Sequence, residues 1–325
     1  MDRRDFLLTS LAGALAAPLA AEAQQTRGAR RIGLVGPREE PRFSEIRDAL
    51  KEGLREQGYA EPSIETMAGP TPRGNPAGAR AVIESLIRQR PEVLFVIGSV
   101  LAKVARQATP DLPIMFITPG DPVAAGVVAS LARPARNMTA ITFEYPELSG
   151  KRLELLRELV PGVKRVLVLY DPSDASPRQG VEVARAAASR LGLTLSERHV
   201  RAPDDVRRGL AALSEADALL GVPGGVTTGH YVAMIEAAHA NKRPTVFHTR
   251  TESTAAALMT YGASEADVAR DAARTVAKIL RGADAGSLPV ERPTKIALIF
   301  NLKTAKALGL TIPPSLLLRA DQVIE

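Results

Sequence analysis

The chain contains no cysteine and no tryptophan, and only seven phenylalanines and five tyrosines among 325 residues. Without cysteine there are no disulfides, no thiolate metal ligands and no attachment point for a lipoprotein anchor, so stability has to come from apolar cores. With so few aromatics, those cores are made of Leu, Val, Ile and Ala. Runs such as Ala184-Arg-Ala-Ala-Ala-Ser189 suit helices. Histidine is scarce as well. His230 and His239 are nine residues apart, whereas a zinc pair on a helix wants i and i+4. After the first twenty-five residues, no run is long and apolar enough to span a bilayer.

Enzyme signatures are missing too. There is no G-x-S-x-G elbow: Ser99 has Ile97 and Leu101 where that turn needs glycine. There is no Walker A sequence and no G-x-G-x-x-G. These absences set the expectation of a protein without catalysis, cofactor or metal. Charge of one sign is not concentrated either. The 42 basic and 36 acidic residues give +6, scattered along the chain with no Lys/Arg cluster interleaved with aromatics. That reads as a solvated surface, not a nucleic-acid footprint.

What is present begins at the N-terminus. Arg3 and Arg4 precede an apolar stretch from Phe6 to Ala21, and Ala21-Glu22-Ala23 offers small residues where a signal peptidase reads. The expectation is a removable signal peptide over residues 1–23. It is twin-arginine-like, although Asp2 stands where Ser or Thr is usual. Its removal raises the balance to +7.

The remainder alternates strand, loop and helix. Apolar runs at Arg31–Gly36, Ile64–Met67, Val93–Ile97, Pro113–Ile117 and Met138–Thr142 read as strands. Helical spacing follows the first of them, with Phe43, Ile46, Leu50 and Leu54 on one face. The pattern restarts at Lys164–Tyr170 with a polar loop, an amphipathic helix ended by Gly192, and strands at Leu193–His199, Ala218–Val222 and Pro244–His248. Glu144–Leu148 is a candidate crossing between the halves. Leu258–Gly262 and the helix of Val268, Ala272, Val276 and Ile279 are expected to return to the first half. Lys295–Phe300 reads as a last strand. The fold class is therefore α/β, with two doubly wound parallel-sheet lobes.

In such sheets ligands bind beyond the carboxyl ends of strands. The loops to inspect are Gly36–Arg38, Gly98–Val100, Thr118–Pro122, Asp171–Asp174, Val222–Gly225 and Tyr261–Gly262. Each has a plainer reading. Gly98-Ser99 and Asp121-Pro122 are also ordinary helix starts, Asp171 and Asp174 also make turns, and Gly224-Gly225 also marks a tight turn. Their recurrence after strands in both halves favours a shared cleft.

The segments RRDFL, RRIGLVG, VLFVIGS, ITPGDPVAAGVVASLARPARNMTAITF, GKRLELLRELVPGVKRVLVLYDP and PTKIALIFNLKTAKALGLTIPPSLLLRADQVIE follow one another over nearly the whole chain. In these the sequence resembles the ABC transporter substrate-binding protein family that includes tryptophan- and phenylalanine-type amino-acid binders. The resemblance implies a type I periplasmic-binding fold with lobes joined by a hinge. Lobe 1 is expected over 30–143 plus about 256–284, and lobe 2 over 144–255 plus about 285–325. It implies ligand loops at Ser99 and Val100, Thr118 and Asp121, Asp171 and Ser173, and Gly224 with Gly225. Tyr261 joins the candidates from its own strand-end loop. An amino acid's ammonium wants a carboxylate, for which Asp121 and Asp171 are candidates. Its carboxylate wants the hydroxyls and N–H groups at Ser99, Thr118 and Ser173. Two departures stand out. Asp171-Pro172-Ser173 replaces the usual Asn-Pro-Asn, and Pro37-Arg38 replaces small hydroxyl residues, with Arg38 favouring an anionic ligand.

The implied partners are a small-molecule solute and an inner-membrane ABC permease with its ATPase. The receptor itself is expected to be a periplasmic monomer, with no nucleic acid, no membrane anchor and no cofactor. The alternatives are an exported enzyme with a cleft active site and a ligand-sensing subunit for a signalling receptor.

Overall fold

The computed structural model describes residues 29–37, 42–59, 64–71, 76–134 and 136–325. The expected signal segment, residues 1–23, and Arg38 lie outside them. The first sheet is parallel, in the order β2-β1-β3-β4-β5. Its strands are β1 (Arg30–Pro37), β2 (Ile64–Thr71), β3 (Val93–Ile97), β4 (Ile114–Thr118) and β5 (Met138–Thr142). Both faces are covered, which is why β3, β4 and β5 are apolar or buried throughout rather than alternating. Val93, Phe95 and Ile97 point to helices α1 (Arg42–Glu56) and α8 (Glu265–Leu280). Leu94 and Val96 point to α2 (Pro76–Arg88) and α3 (Ser99–Ala108).

The second sheet runs β12-β11-β10-β9-β8-β6-β7. Its strands are β6 (Arg165–Tyr170), β7 (Thr194–His199), β8 (Ala218–Leu220), β9 (Thr245–Phe247), β10 (Met259–Gly262), β11 (Ala297–Asn301) and β12 (Gln322–Ile324). All neighbours are parallel except β10 and β11. Helices α4 (Ser149–Leu159) and α5 (Ala175–Leu191) cover one face. The same face holds the short α9 (Leu302–Ala307) and α10 (Pro314–Leu317). Helices α6 (Pro203–Leu210) and α7 (Tyr231–Ala240) cover the other. Local chemistry agrees with these boundaries. Asp174 caps α5 by accepting from the Ser176 N–H, and Ser264 caps α8 by accepting from the Asp267 N–H.

The chain passes between the lobes three times. The first passage is residues 143–148, between β5 and α4. The second differs: β10 pairs with β9 in the second sheet, so the return to lobe 1 comes after Gly262, not near 256. Leu258–Gly262 reads as a buried strand in either sheet, and only its neighbours decide. The third passage follows Glu291. Ala285–Ser287 packs on β5, and the Glu291 backbone pairs with Ala140 and Thr142, so lobe 1 extends past 284. Glu144, in the first passage, holds φ 54°, a left-handed conformation costing about 1–2 kcal/mol for a non-glycine residue. Its carboxylate pairs with Arg292 of the third passage at 3.0 Å.

Candidate functional site

Both sheets share one winding. In each, the first strand lies between the second and third, so the order reverses at β1/β3 and again at β6/β8. Open α/β sheets bind ligands at that reversal. The loops after β3 and β4 meet those after β6 and β8 across a cleft holding two adjoining cavities.

The larger, about 380 Å³, is walled by Ile97, Ile117, Phe143 and Tyr145, with Ser99, Gly224, Thr228 and His248 among its polar lining. Gly98 makes the turn into α3 with φ 100°, a conformation glycine adopts without strain. Val100, two residues on, stays 68% exposed and lines both cavities, an apolar side chain left open to the cleft. The smaller cavity, about 350 Å³, is more polar, with Lys103, Asp121, Ser173 and Gln179.

Of the residues singled out in the sequence, Ser99, Val100, Asp121, Ser173, Gly224 and Gly225 line one cavity or both. Thr118, Asp171 and Tyr261 line neither. Thr118 is buried behind Ser99, the two hydroxyls 2.8 Å apart. Asp171 Oδ1 accepts from the N–H and the hydroxyl of Ser173, a local turn that occupies the carboxylate. Tyr261 packs against the second core, and its carbonyl accepts from Arg152. Asp121 accepts from the Val123 N–H and sits in the smaller cavity. Asp174 binds the Gly225 N–H at 3.2 Å, tying two ligand-loop candidates together.

The residues missed in the sequence come from helix starts and passages between lobes. Arg42 and Glu265, the first residues of α1 and α8, form a two-pronged ion pair at 2.5 and 2.9 Å on the wall of the larger cavity. Tyr145 and His248 pack with ring centres 4.4 Å apart and planes tilted by 54° on the same wall. Behind them Arg152 is fully buried. Its Nη1 donates to the Tyr145 carbonyl and its Nε to the Tyr261 carbonyl, at 2.6 and 2.8 Å, while Nη2 has no partner. Burial alone lowers its pKa to about 10. The only signal in the sequence is small Ser149 and Gly150 just before it, which let α4 approach closely.

Burial, with the Arg152 and Arg42 charges behind it, holds His248 well below the usual histidine pKa of 6.5. His248 is therefore neutral when folded, and the unfolded chain takes up the proton first as pH falls. Stability is present above pH 6.5 and is lost below it, by up to about 1.4 kcal/mol per pH unit from this one group. Urea unfolding between pH 7 and 5 should show this loss reduced in His248→Gln. An identical pH slope in the variant would refute it.

Among the described residues no cluster of His, Cys, Asp and Glu could hold a metal, and no helix is long and apolar enough to cross a membrane.

The sequence pattern of the family described as "ABC transporter substrate binding protein" matches residues 31–324. A "Tyrosine-binding protein" of Clostridioides difficile (strain R20291) is 23% identical over 86% of this chain and 81% of its own length. A conserved domain protein of Vibrio cholerae has a similar structure, with TM-score 0.82 and 28% identity over 91% of this chain and 99% of that one. So does a Streptococcus pneumonia "ABC domain in complex with L-Trp", with TM-score 0.83 and 23% identity over 91% and 100%.

Proposed function

The chain belongs to the ABC transporter substrate-binding protein family, and from that premise we propose that it is an exported receptor for an amino acid with a large apolar or aromatic side chain. It traps the solute between its lobes and delivers it in the periplasm to an inner-membrane permease with its ATPase. The observation that carries this reading is the larger cavity. Strand-end loops of two sheets with the same winding converge on it, its wall is Ile97, Ile117, Phe143 and Tyr145, and its volume of about 380 Å³ suits one small molecule. The relatives named for tyrosine and L-Trp support the choice of solute class. Closure of the lobes would use the three passages as the hinge. Ser99, Val100, Gly224 and Gly225 are the proposed contacts, with Asp121 and Ser173 at the polar end.

A thermal-shift screen of the purified protein against the twenty amino acids, pentoses and small carboxylates tests this. L-Tyrosine, L-tryptophan or L-phenylalanine is expected to raise the melting temperature. A ligand at a hundred times its Kd stabilises by about 2.7 kcal/mol. Stabilisation by pentoses alone, or by none of these solutes, would count against the reading.

A further inference from the structure

We propose that His248 reads a hydroxyl carried by the ligand's side chain, so that the larger cavity prefers a phenolic amino acid to phenylalanine. The inference rests on the amino-acid reading of that cavity and adds the group that tells such solutes apart. His248 follows β9 and lines the cavity while only 5% exposed. Its Nδ1 is enclosed without a hydrogen-bond partner among the described residues. The neighbouring polar groups are turned elsewhere. The Tyr145 hydroxyl donates to the Ala263 carbonyl at 2.7 Å, and the Tyr231 hydroxyl to the Val222 carbonyl at 3.1 Å. Arg152 Nη2, behind the same wall, is partnerless too and so does not bond the imidazole.

Packing alone does not call for histidine here. A phenylalanine ring would sit equally well against Tyr145, 4.4 Å away between ring centres, and Tyr231, 5.6 Å away. It would also leave no buried nitrogen unpaired, and a buried polar group without a partner is costly. A residue that breaks this rule in the wall of a binding cavity is a mark of function rather than stability. Burial, with the Arg152 and Arg42 charges, keeps the ring neutral at physiological pH, so it carries one N–H donor and one lone pair. A phenol hydroxyl both donates and accepts, and so suits either tautomer. The rest of the wall, Ile97, Ile117, Phe143 and Tyr145, suits the aromatic ring that bears the hydroxyl. A ligand without the hydroxyl fills the cavity but leaves the imidazole dry and unpaired, which is how a site rejects the analogue that lacks a hydrogen-bonding group.

The test is calorimetric titration of the purified protein with L-tyrosine, L-phenylalanine and L-4-fluorophenylalanine, the last filling the space of the hydroxyl without donating a hydrogen. The wild type is expected to bind tyrosine at least about tenfold more tightly than either of the others. In His248→Phe, which keeps the ring packing, the preference should fall below about twofold. In His248→Gln, which keeps a donor and an acceptor, part of it should survive. Wild-type affinity for tyrosine no greater than for phenylalanine overturns the assignment, without any need for a variant to fold. A preference undiminished in His248→Phe overturns it too. Both results leave the amino-acid reading standing. A wild type that binds no amino acid at all overturns both.

Discussion

Arg152→Ala is expected to cost about 3–5 kcal/mol of folding stability. The substitution strips donors from the carbonyls of Tyr145 and Tyr261, which lie at the first passage and just before the second. The Tyr145 carbonyl keeps only a long bond from the Ser149 hydroxyl at 3.4 Å, the loss of a buried carbonyl's donor costs about 1–3 kcal/mol, and the vacated volume adds to that. Arg152→Met, which fills most of the space, should lose less. It should also soften the acid sensitivity assigned to His248, because a nearby cation would no longer oppose protonation there. Urea unfolding of both variants at pH 7 and 5.5 measures the two effects. A loss below about 1 kcal/mol in the alanine variant would show that Arg152 does not brace the passages.

Gly262→Val should destabilise by more than about 3 kcal/mol and weaken ligand binding as well. A Cβ at this position would lie 1.9 Å from the His248 carbonyl oxygen and 3.0 Å from its carbon. Those are backbone atoms, which cannot rotate aside as a side chain does. Relief requires the His248 backbone and β10 to separate, which shifts His248 on the cavity wall or disturbs the Arg152 bond to Tyr261. Gly262→Ala meets the same first clash and should show most of the effect. Wild-type stability in either variant would contradict this account.

The strands were the most legible part of the fold in the sequence. Val93–Ile97 occupies the expected residues, and Ile114–Thr118 is one position along. Doubly covered strands are simply apolar, so their pattern is local. Which sheet a strand joins is not local. Leu258–Gly262 is bounded like any short strand, and the direction of β11, the one antiparallel neighbour, is set by the passage before it. The same contrast governs the site. Ser99, Val100, Gly224 and Gly225 follow strands, where the rule for open sheets points. Glu265 and Arg152 look like surface charges of amphipathic helices. Glu265 lines the cavity and Arg152 is buried because those helices begin at the junction of the lobes, 223 and 109 residues from Arg42 and Tyr261, the partners that place them.

The late return of α8 has a consequence for synthesis. The core face of β1, β3 and β4 is covered by α1 and α8 together. Everything from Thr142 to Ser264 must therefore leave the ribosome before the second cover is made. At roughly 5–20 residues per second, the interval up to Leu280 lasts on the order of ten seconds. Throughout it the nascent first lobe exposes one flank of an apolar sheet, a surface for a chaperone to shield. The growing chain has no finished half to fall back on until its last fifth is made.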